Sequence, residues 1–264
     1  MQEKSEHKFA VITGASQGLG RAFAKNLASR GINLVLVSLP GQNVGELAHD
    51  LNRTYNVRTD SYETDFKSDQ NIKALCNWLN EKFSIFILIN NAGTGGTRRF
   101  TDVTANYINT IIQVNVKATS LLTHRLLPNL KQQKQAYILN VSSIAAFSPV
   151  GYKTVYPASK SFVHSFSLGL SEELKDSKVS VSVINPGAMK TNDEITARIE
   201  KQGYIGKLTL LDPYKVARFS LNKMFNGKTV ILLNPLSWFI SIVLPTRIKV
   251  SMMTKIIKRE LTLG

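Results

Sequence analysis

The feature that most constrains the fold of this chain is a short strand, a glycine-rich turn and a helix close to the N-terminus. Phe9–Thr13 is an apolar, β-favouring run, and apolar residues with helical spacing follow from Arg21 to Arg30. Between them, Gly14, Gly18 and Gly20 form a G-x-x-x-G-x-G pattern. Glycines let a backbone approach a pyrophosphate, and the first turn of a helix offers unpaired N–H groups and a positive dipole end. The order of strand, turn and helix predicts a nucleotide-binding unit, with a plain tight turn as the alternative.

The rest of the chain alternates apolar strands with amphipathic helices. The further predicted strands are residues 33–38, 58–64, 85–89, 136–141, 179–184 and 229–233. Apolar runs of this length between helical segments are typical of a parallel sheet that is covered on both faces. No linker, repeat or low-complexity stretch divides the sequence. We therefore expect residues 1–264 to form one α/β domain with a Rossmann fold, a doubly wound parallel sheet of about seven strands.

Polar residues and glycines cluster at the predicted carboxyl ends of these strands. They are Gly14 to Gly20, Ser38, Asp65, Asn90 to Gly93, Ser142, Ser143 and Asn185 to Gly187. In open parallel sheets, ligands bind along this edge. Asp65 has an alternative role as the N-cap of the following helix. The convergence predicts one ligand site at this edge.

Tyr156 and Lys160 stand four residues apart in the helix predicted after the fifth strand. This spacing places them one turn apart on the same helix face. The pKa values of free tyrosine and lysine are about 10 and about 10.4. A neighbouring ammonium stabilises a phenolate and lowers the tyrosine pKa, which would make Tyr156 a proton donor near neutral pH. An isolated Y-x-x-x-K pattern is usually an ordinary helix start, so this interpretation depends on the surrounding residues.

Taken together, these residues resemble those of the short-chain dehydrogenases/reductases. The matching residues are Thr13 to Gly20, Asp65, Asn90 to Gly93, Asn115, Ser143, Tyr156, Lys160, Pro186, Gly187 and Thr191. They follow the family's order and approximate spacing up to about residue 191, and the set is far more specific than any single member. The resemblance implies an oxidoreductase that transfers a hydride between a nicotinamide cofactor and a carbonyl or secondary alcohol.

The resemblance also implies roles for four catalytic residues. Tyr156 would donate a proton to the substrate oxygen in reduction, and Lys160 would bind the nicotinamide ribose and lower the Tyr156 pKa. Ser143 stands thirteen residues before Tyr156 and would orient the carbonyl. Asn115 would hold a helix kink and a water in a proton relay; its alternative is a polar residue on a helix face.

For the cofactor, the resemblance implies contact of Asp65 with adenine and of Thr191 with the nicotinamide carboxamide. The full implied set is Gly14, Ser16, Gln17, Gly18, Leu19, Gly20, Ser38, Asp65, Phe66, Asn91, Ala92, Gly93, Tyr156, Lys160, Pro186, Gly187 and Thr191. An acidic residue after the second strand would repel the 2′-phosphate of NADP, and Ser38 has no charge. No basic residue follows Ser38, however, and Gln17 replaces the basic residue of many NADP-dependent relatives. We expect NADP(H) in preference to NAD(H).

Other classes of function receive less support from the sequence. No G-x-S-x-G turn surrounds Ser143, which disfavours a hydrolase, and the four histidines lack metal-ligand spacing, so no metal is expected. A net charge of +15 favours an anionic partner such as a phosphate-bearing cofactor, an acidic carrier or a membrane surface. We find no zinc spacing or basic-aromatic motif for nucleic acid. A non-catalytic nucleotide-binding or interaction protein remains the alternative, and its signature would be a broken Asn-Ser-Tyr-Lys tetrad.

Two segments carry the expectations about the substrate. Residues 188–211 are expected to form a lid, although their polar residues indicate no particular pocket chemistry. In the segment 236–264, a helix pattern is predicted beyond Pro245, where isoleucines and methionines alternate with Arg247, Lys249, Lys255, Lys258 and Arg259. This pattern is typical of an amphipathic helix on an anionic membrane surface, with a surface or subunit-packing helix as the alternative. Similar tails in the family imply a lipophilic ketone, either a steroid or a long-chain keto-lipid.

A 3-oxoacyl-[acyl-carrier-protein] reductase is the alternative enzyme, in which Arg98 and Arg99 would meet an acidic carrier. The family also implies a homodimer or homotetramer that pairs through the helices around Asn115 and after Tyr156. The single Cys76 excludes an intramolecular disulfide and fits a reducing compartment. Because no signal peptide pattern opens the chain and its apolar stretches are too short to span a bilayer, we expect a cytoplasmic protein with peripheral membrane contact.

Overall fold

The apolar runs of the sequence form strands that all pair in parallel. The computed structural model describes residues 7–187, 189, 211–233, 243 and 245–262. The strands are β1 (Lys8–Thr13), β2 (Asn33–Ser38), β3 (Thr59–Glu63), β4 (Ser84–Asn90), β5 (Ala136–Val141), β6 (Val179–Ile184) and β7 (Val230–Ile231). Their order in the sheet is β3-β2-β1-β4-β5-β6-β7. The chain changes direction across the sheet between β3 and β4, which creates a switch point between the carboxyl ends of β1 and β4.

Helices cover both faces of this sheet, as predicted. They are α1 (Gly18–Ala28), α2 (Val44–Tyr55), α3 (Asp69–Lys82), α4 (Ala105–Ile111), α5 (Ala118–Lys131), α6 (Val155–Glu173), α7 (Pro213–Phe225) and α8 (Thr246–Thr262). One core contains apolar residues of α1, α2 and α7, and a second core on the opposite face contains residues of α3 and α5. The two separate cores confirm the doubly wound α/β architecture with Rossmann topology.

The helix predicted around Asn115 is interrupted in the structure. A π-helical segment, Ile112–Lys117, separates α4 from α5. A π-helical turn widens the helix and often occurs at functional sites. The kink that the family resemblance implied is therefore present, and Asn115 lies within it. Elsewhere the differences concern lengths: β7 has two residues rather than five, and β3 begins one residue later than predicted.

The C-terminal helix α8 begins directly after Pro245, as predicted, but one of its basic residues points inward. Lys249 is buried, whereas Arg247, Lys255 and Lys258 are exposed. No helix among the described residues is long and apolar enough to cross a membrane. Of the expected lid, only residues 189 and 211 are described, and they form an isolated parallel bridge. Thr191 lies outside the described residues.

Candidate active site

The glycine turn packs against its own backbone more tightly than any side chain would allow. Gly14 and Gly18 have φ angles of +64° and +53°, which favour glycine. A Cβ on Gly20 would lie 2.0 Å from the carbonyl oxygen of Gly14 and 2.6 Å from Nδ2 of Asn91. The first turn of α1 therefore sits directly on the carboxyl end of β1, and the pattern recognised in the sequence has a steric cause.

The start of α1 fits an anionic group such as a cofactor phosphate. Gln17 occupies the N-cap in an extended conformation, and its side chain accepts no hydrogen bond from the helix. The first turn contains no acidic residue. The hydroxyl of Ser16 donates to Oε1 of Gln42 at 2.5 Å, away from the helix amides. These uncapped amides and the positive end of the helix dipole would bind a phosphate.

Thr13 and Asn91 join the carboxyl ends of β1 and β4. The Thr13 hydroxyl accepts hydrogen bonds from the backbone N–H groups of Asn91 and Ala92, each at 3.0 Å. The Asn91 side chain donates to the carbonyl oxygens of Thr13 (2.9 Å) and Gly14 (3.1 Å). Asn91 therefore shapes the glycine turn through its amide. The sequence did not assign this partnership to Thr13, although the residue directly precedes the turn.

On the adenosine side, the structure adds a charge that the sequence analysis did not consider. Glu63 pairs in register with Ser38 on the adjacent strand, and its carboxylate accepts a hydrogen bond from the Gly41 amide at 3.2 Å. The Ser38 hydroxyl itself donates to the carbonyl of Leu39 at 3.0 Å. The uncharged end of β2 therefore lies beside a carboxylate supplied by β3.

Asp65 and Phe66 follow β3, and their side chains lie in different environments. The alternative role of Asp65 as a helix cap is wrong, because Ser68 caps α3 by accepting a hydrogen bond from the Asn71 amide. Asp65 instead pairs with Lys67 at 3.2 Å. The side chain of Phe66 is buried in the core with residues of α3, so a contact of Phe66 with the cofactor would be through its main chain.

Asn115 is buried and holds together three segments around the site. Its side chain donates to the carbonyl of Thr94 and to the hydroxyl of Ser159, both at 2.9 Å, and accepts from the Thr94 amide at 2.8 Å. The Ser159 hydroxyl in turn donates to the carbonyl of Tyr156 at 2.7 Å. Both N–H groups of the Asn115 amide are used within the protein, so its side chain fixes the start of α6, and the water that it would hold stays a prediction. Ser159 lies inside the Y-x-x-x-K motif, and its spacing alone gave no sign of this role.

Lys160 points from α6 towards the end of β4 and is fully enclosed. Its ammonium donates to the carbonyl of Val141 at 2.9 Å, and a Cβ on Gly93 would lie 3.2 Å from Nζ. Burial lowers the pKa of Lys160 to about 8. The ammonium lies 5.9 Å from the centre of the Tyr156 ring. The Lys160 ammonium therefore lies beside both Gly93 and Tyr156.

The pKa of Tyr156 differs from the expectation. Burial raises it above the ordinary value, while a hydrogen bond with the side chain of Ser143 acts in the opposite direction. The Lys160 ammonium lies 5.9 Å from the centre of the Tyr156 ring and donates to the Val141 carbonyl. The net direction is therefore opposite to the expected lowering, and the hydrogen bond of Ser143 is a contact that favours the phenolate.

Ser143, rather than its neighbour Ser142, is directed towards Tyr156. The Ser142 hydroxyl donates to the carbonyl of Lys160 at 2.7 Å and fastens α6 to β5. The Ser143 hydroxyl accepts from the Ala145 amide at 3.1 Å and contacts the carbonyl of Pro186 at 3.4 Å. Pro186 thus borders Ser143 from the end of β6. The described residues contain no cluster of acidic, histidine or cysteine side chains that would bind a metal.

Comparison with known proteins agrees with this geometry. A profile described as short chain dehydrogenase matches residues 8–202, a range that includes the glycine turn and the Ser-Tyr-Lys group. The chain belongs to the short-chain dehydrogenase family. Members of this family are NAD(P)-dependent oxidoreductases that act on alcohol and ketone groups, so the predicted reaction class is confirmed.

Relatives of this short-chain dehydrogenase include proteins with and without activity. It is 34% identical over 188 residues to an uncharacterized oxidoreductase of Staphylococcus epidermidis, covering 71% of this chain and 80% of that protein. It is 33% identical over 182 residues to the very-long-chain 3-oxoacyl-CoA reductase of Anas platyrhynchos, with coverages of 67% and 58%. It is also 31% identical over 191 residues to the inactive hydroxysteroid dehydrogenase-like protein 1 of Homo sapiens, with coverages of 72% and 58%. The chain spans less than two thirds of the last two relatives.

Solved structures of short-chain dehydrogenases share the fold. The bulky-bulky ketone specific alcohol dehydrogenase from Comamonas testosteroni superposes with a TM-score of 0.75 at 29% identity, over 85% of both chains. A short-chain dehydrogenase from Sphingobium yanoikuyae in complex with NADPH superposes with a TM-score of 0.78 at 28% identity. The second match covers 88% of this chain and 91% of the other.

Proposed function

We propose that this short-chain dehydrogenase reduces a lipophilic ketone with NADPH, and that Tyr156 is the proton donor. The observation that carries the proposal is the contact between the hydroxyls of Tyr156 and Ser143, next to the enclosed ammonium of Lys160 and the Asn115 amide. All four residues are present, and they meet at the carboxyl edge of β4 and β5. A protein that only bound the nucleotide would have no use for this arrangement.

In this proposal, the hydroxyls of Ser143 and Tyr156 both donate to the substrate oxygen as negative charge develops on it. Bound NADPH supplies the hydride. The raised pKa of Tyr156 keeps its hydroxyl protonated and able to donate. Lys160, whose pKa is about 8, can release and regain a proton near neutral pH and so restores the Tyr156 proton. Asn115 keeps the start of α6 in place through Ser159.

The preference for NADPH is supported by the uncharged Ser38 at the end of β2 and by the NADPH complex of the relative from Sphingobium yanoikuyae. The uncapped first turn of α1 would bind the pyrophosphate, with Ser16, Leu19 and the main chain of residues 91–93 around the cofactor. Glu63 acts in the opposite direction, since its carboxylate lies beside Ser38 at the end of β2. We propose that the Gly41 amide, which donates to Glu63, reduces this repulsion.

The proposed substrate class, a steroid or long-chain keto-lipid, draws on the named activities of two relatives. One acts on bulky ketones and the other is a very-long-chain 3-oxoacyl-CoA reductase. The alternative, reduction of a 3-oxoacyl group on an acidic carrier, is favoured by exposed Arg98 and Arg99. The Arg98 guanidinium lies 5.4 Å from the centre of the Tyr107 ring. The complete tetrad argues against the non-catalytic alternative, despite the inactive human relative.

We further propose that α8 touches an anionic membrane surface. Its outer face carries exposed Arg247, Lys255 and Lys258, and between them Ile248 and Met252 are 56% and 48% exposed. Exposed apolar side chains within a cationic face are typical of helices that lie in a bilayer interface. A reducing compartment such as the cytoplasm fits the free thiol of Cys76, which is buried.

For self-association, the proposed interface is formed by α6 and the helices around Asn115, where apolar residues are exposed. Phe162 is 40% exposed and stacks on Phe166 with a centroid distance of 5.8 Å, while Ile112 is 45% exposed. Solvent-exposed apolar patches of this kind are commonly covered by a second subunit. A homodimer or homotetramer would bury them.

Cofactor oxidation against a substrate panel tests the proposed function. The panel contains ketosteroids, long-chain ketones and 3-oxoacyl thioesters, each with NADPH and with NADH. We expect turnover of a lipophilic ketone with NADPH, and transfer of one deuterium from 4-deuterated NADPH to the carbinol carbon, detected by mass spectrometry. Turnover of 3-oxoacyl thioesters alone would favour the alternative enzyme. NADPH binding without oxidation across the panel would favour a non-catalytic protein.

A further inference from the structure

The loop between β5 and α6 determines how Ser143 meets Tyr156. Ser143 stands at its start, and Tyr156 lies in the first turn of the helix that follows. Within the loop, Tyr152 has a φ of +65°, a left-handed conformation that is costly for a residue with a side chain. A loop in this conformation persists only where its surroundings hold it. The contacts around the loop are therefore part of the construction of the site.

Helix α8 supplies two hydrogen bonds to this loop from about one hundred residues further along the chain. Nζ of Lys249 donates to the carbonyl of Phe147 at 2.8 Å, and the Gly151 amide donates to Oγ1 of Thr254 at 2.9 Å. Lys249 is only 7% exposed. Burial of a lysine is costly unless its ammonium is hydrogen-bonded, so an apolar residue would serve better if α8 needed only to pack.

The packing between α8 and the loop is equally close. A Cβ on Gly151 would lie 2.7 Å from Cγ2 of Thr254, so only glycine allows the helix to approach this far. On the other side of the loop, the Phe147 ring meets the His164 ring edge-on, with a centroid distance of 4.8 Å. His164 follows Lys160 by one helical turn. The loop is thus clamped between α8 and the helix that carries Tyr156 and Lys160.

We propose that α8 positions the catalytic loop, with Lys249 and Thr254 as positioning residues. They hold Phe147 and Gly151, and thereby keep the Ser143 hydroxyl in hydrogen-bond contact with Tyr156. This inference rests on the proposed function, because it assigns α8 to the same Ser-Tyr pair. It gives α8 a second role beside its exposed basic face, and it explains why Lys249 departs from the pattern of its basic neighbours.

Matched substitutions in α8 test this role. Thr254→Val removes the hydroxyl that Gly151 needs, Thr254→Ser retains it, and Lys249→Met keeps the length of the side chain without its donors. We expect kcat for the ketone to fall about tenfold in the valine and methionine variants, because small misalignments of catalytic groups are costly. KM for NADPH should not change, and Thr254→Ser should retain most of the activity. Ser251→Ala, at an exposed position of the same helix, is the control and should match the wild type.

A second readout does not depend on turnover. Loss of the Ser143 hydrogen bond should raise the pKa of Tyr156 further in Thr254→Val than in Thr254→Ser, measured by NMR of ¹³C-labelled tyrosine with Tyr156→Phe for assignment. Unchanged kcat and unchanged Tyr156 titration in folded Thr254→Val and Lys249→Met would overturn the proposal. If those variants do not fold, rapid hydrogen exchange of the Gly151 amide in the wild type would overturn it instead. A wild type that reduces no ketone would refute the proposed function. The pKa of Tyr156 in the wild type and in the Thr254 variants would still decide the role of α8.

Discussion

The two sides of the active-site edge are built in different ways. On the cofactor side, the contacts centre on the main chain: α1 rests on the end of β1 at Gly20, and the short side chains of Thr13 and Asn91 bond to the main chain of each other's strand. On the substrate side, a loop with one left-handed residue is held by side chains of α8. The cofactor side therefore tolerates few substitutions. The geometry of the substrate side depends on individual side chains of α8.

The cofactor side therefore determines the type of reaction, and the substrate side determines which substrate is bound. The cofactor side uses residues at fixed short spacings, because a glycine turn or an Asn-Asn-Ala-Gly segment must be contiguous to work. The substrate side draws on residues that are distant in sequence and need no common spacing. Substitutions should therefore have severe effects on the first side and graded effects on the second.

The largest effect is expected for Gly20→Ala on the cofactor side. The added Cβ would lie 2.0 Å from the Gly14 carbonyl oxygen, a backbone atom that cannot move without opening the turn. We expect the variant to lose NADPH affinity by more than about 100-fold, since the phosphate-binding turn depends on this close approach. A fluorescence titration with NADPH measures it. Gly45→Ala in α2 is the control, because its Cβ would meet only Oγ of Ser61, at 3.7 Å; equal NADPH affinity in the two variants would refute the argument.

A stability effect of roughly 3 kcal/mol is expected for Lys160→Met. The folded state lowers the pKa of Lys160 from 10.5 to about 8 through burial, so its charge destabilises the fold. This penalty is fully present below pH 8 and disappears as the pH rises towards 10.5, because the unfolded chain then loses the same proton. Lys160→Met should therefore be inactive yet more stable at pH 7, less the contribution of the lost hydrogen bond to Val141.

Urea denaturation from pH 7 to pH 10.5 checks this prediction. The free energy of unfolding of the wild type should approach that of the variant as the pH increases. If the difference in the free energy of unfolding between the two proteins stayed constant across this pH range, burial of the Lys160 charge would not destabilise the folded state.

Ser38→Asp should change cofactor preference by about thirtyfold, which corresponds to roughly 2 kcal/mol of added repulsion of a 2′-phosphate. The ratio of kcat/KM for NADPH and NADH is the measurement. Glu63→Gln is the companion variant: removal of its carboxylate should lower KM for NADPH, since that charge lies beside the Gly41 amide. If Ser38→Asp left the ratio unchanged, the end of β2 would not contact the 2′-phosphate.

The smallest effect, roughly tenfold, is expected for membrane binding. Replacement of Arg247, Lys255 and Lys258 by glutamine should weaken binding to vesicles that contain phosphatidylserine, measured by sedimentation at low and physiological salt. Deletion of α8 would be a poor test, because it would also remove Lys249 and Thr254 from the catalytic loop. The control replaces three exposed lysines elsewhere, at positions 73, 131 and 134, by glutamine. Equal loss of binding in both triple variants would show that only net charge matters.

Most of the fold was predictable because nearby residues in the sequence determine where its strands and helices begin and end. The buried strands β1, β2, β4, β5 and β6 read as apolar runs, and Pro245 marked the start of α8. The weaker strand β7 was overestimated, since only Val230 and Ile231 find a partner on β6. The division of the helix around Asn115 was implied by family resemblance and is not visible in its apolar spacing.

The site was predictable where one segment supplies several of its groups. Tyr156 and Lys160 share a helix, and Ser143 ends a strand. Glu63, Lys249 and Thr254 were missed or misassigned because their contacts cross the sheet or bridge about a hundred residues. Lys249 has the sequence context of a surface cation, and its hydrogen bond to the carbonyl of Phe147 depends on the fold rather than on nearby sequence. The pKa of Tyr156 was misjudged for the same reason, since burial depends on the whole fold.

The central claim is that the Tyr156 hydroxyl donates the proton during carbonyl reduction. Tyr156→Phe removes that single oxygen and leaves the ring, which packs against Gly95. The decisive measurement compares kcat for reduction of a ketone by NADPH in the wild type and in Tyr156→Phe, with NADPH affinity determined for both. We predict unchanged affinity and a fall in kcat of about 10²- to 10⁴-fold, the contribution of a general acid. A variant that binds NADPH and reduces the ketone at the wild-type rate would contradict the assignment.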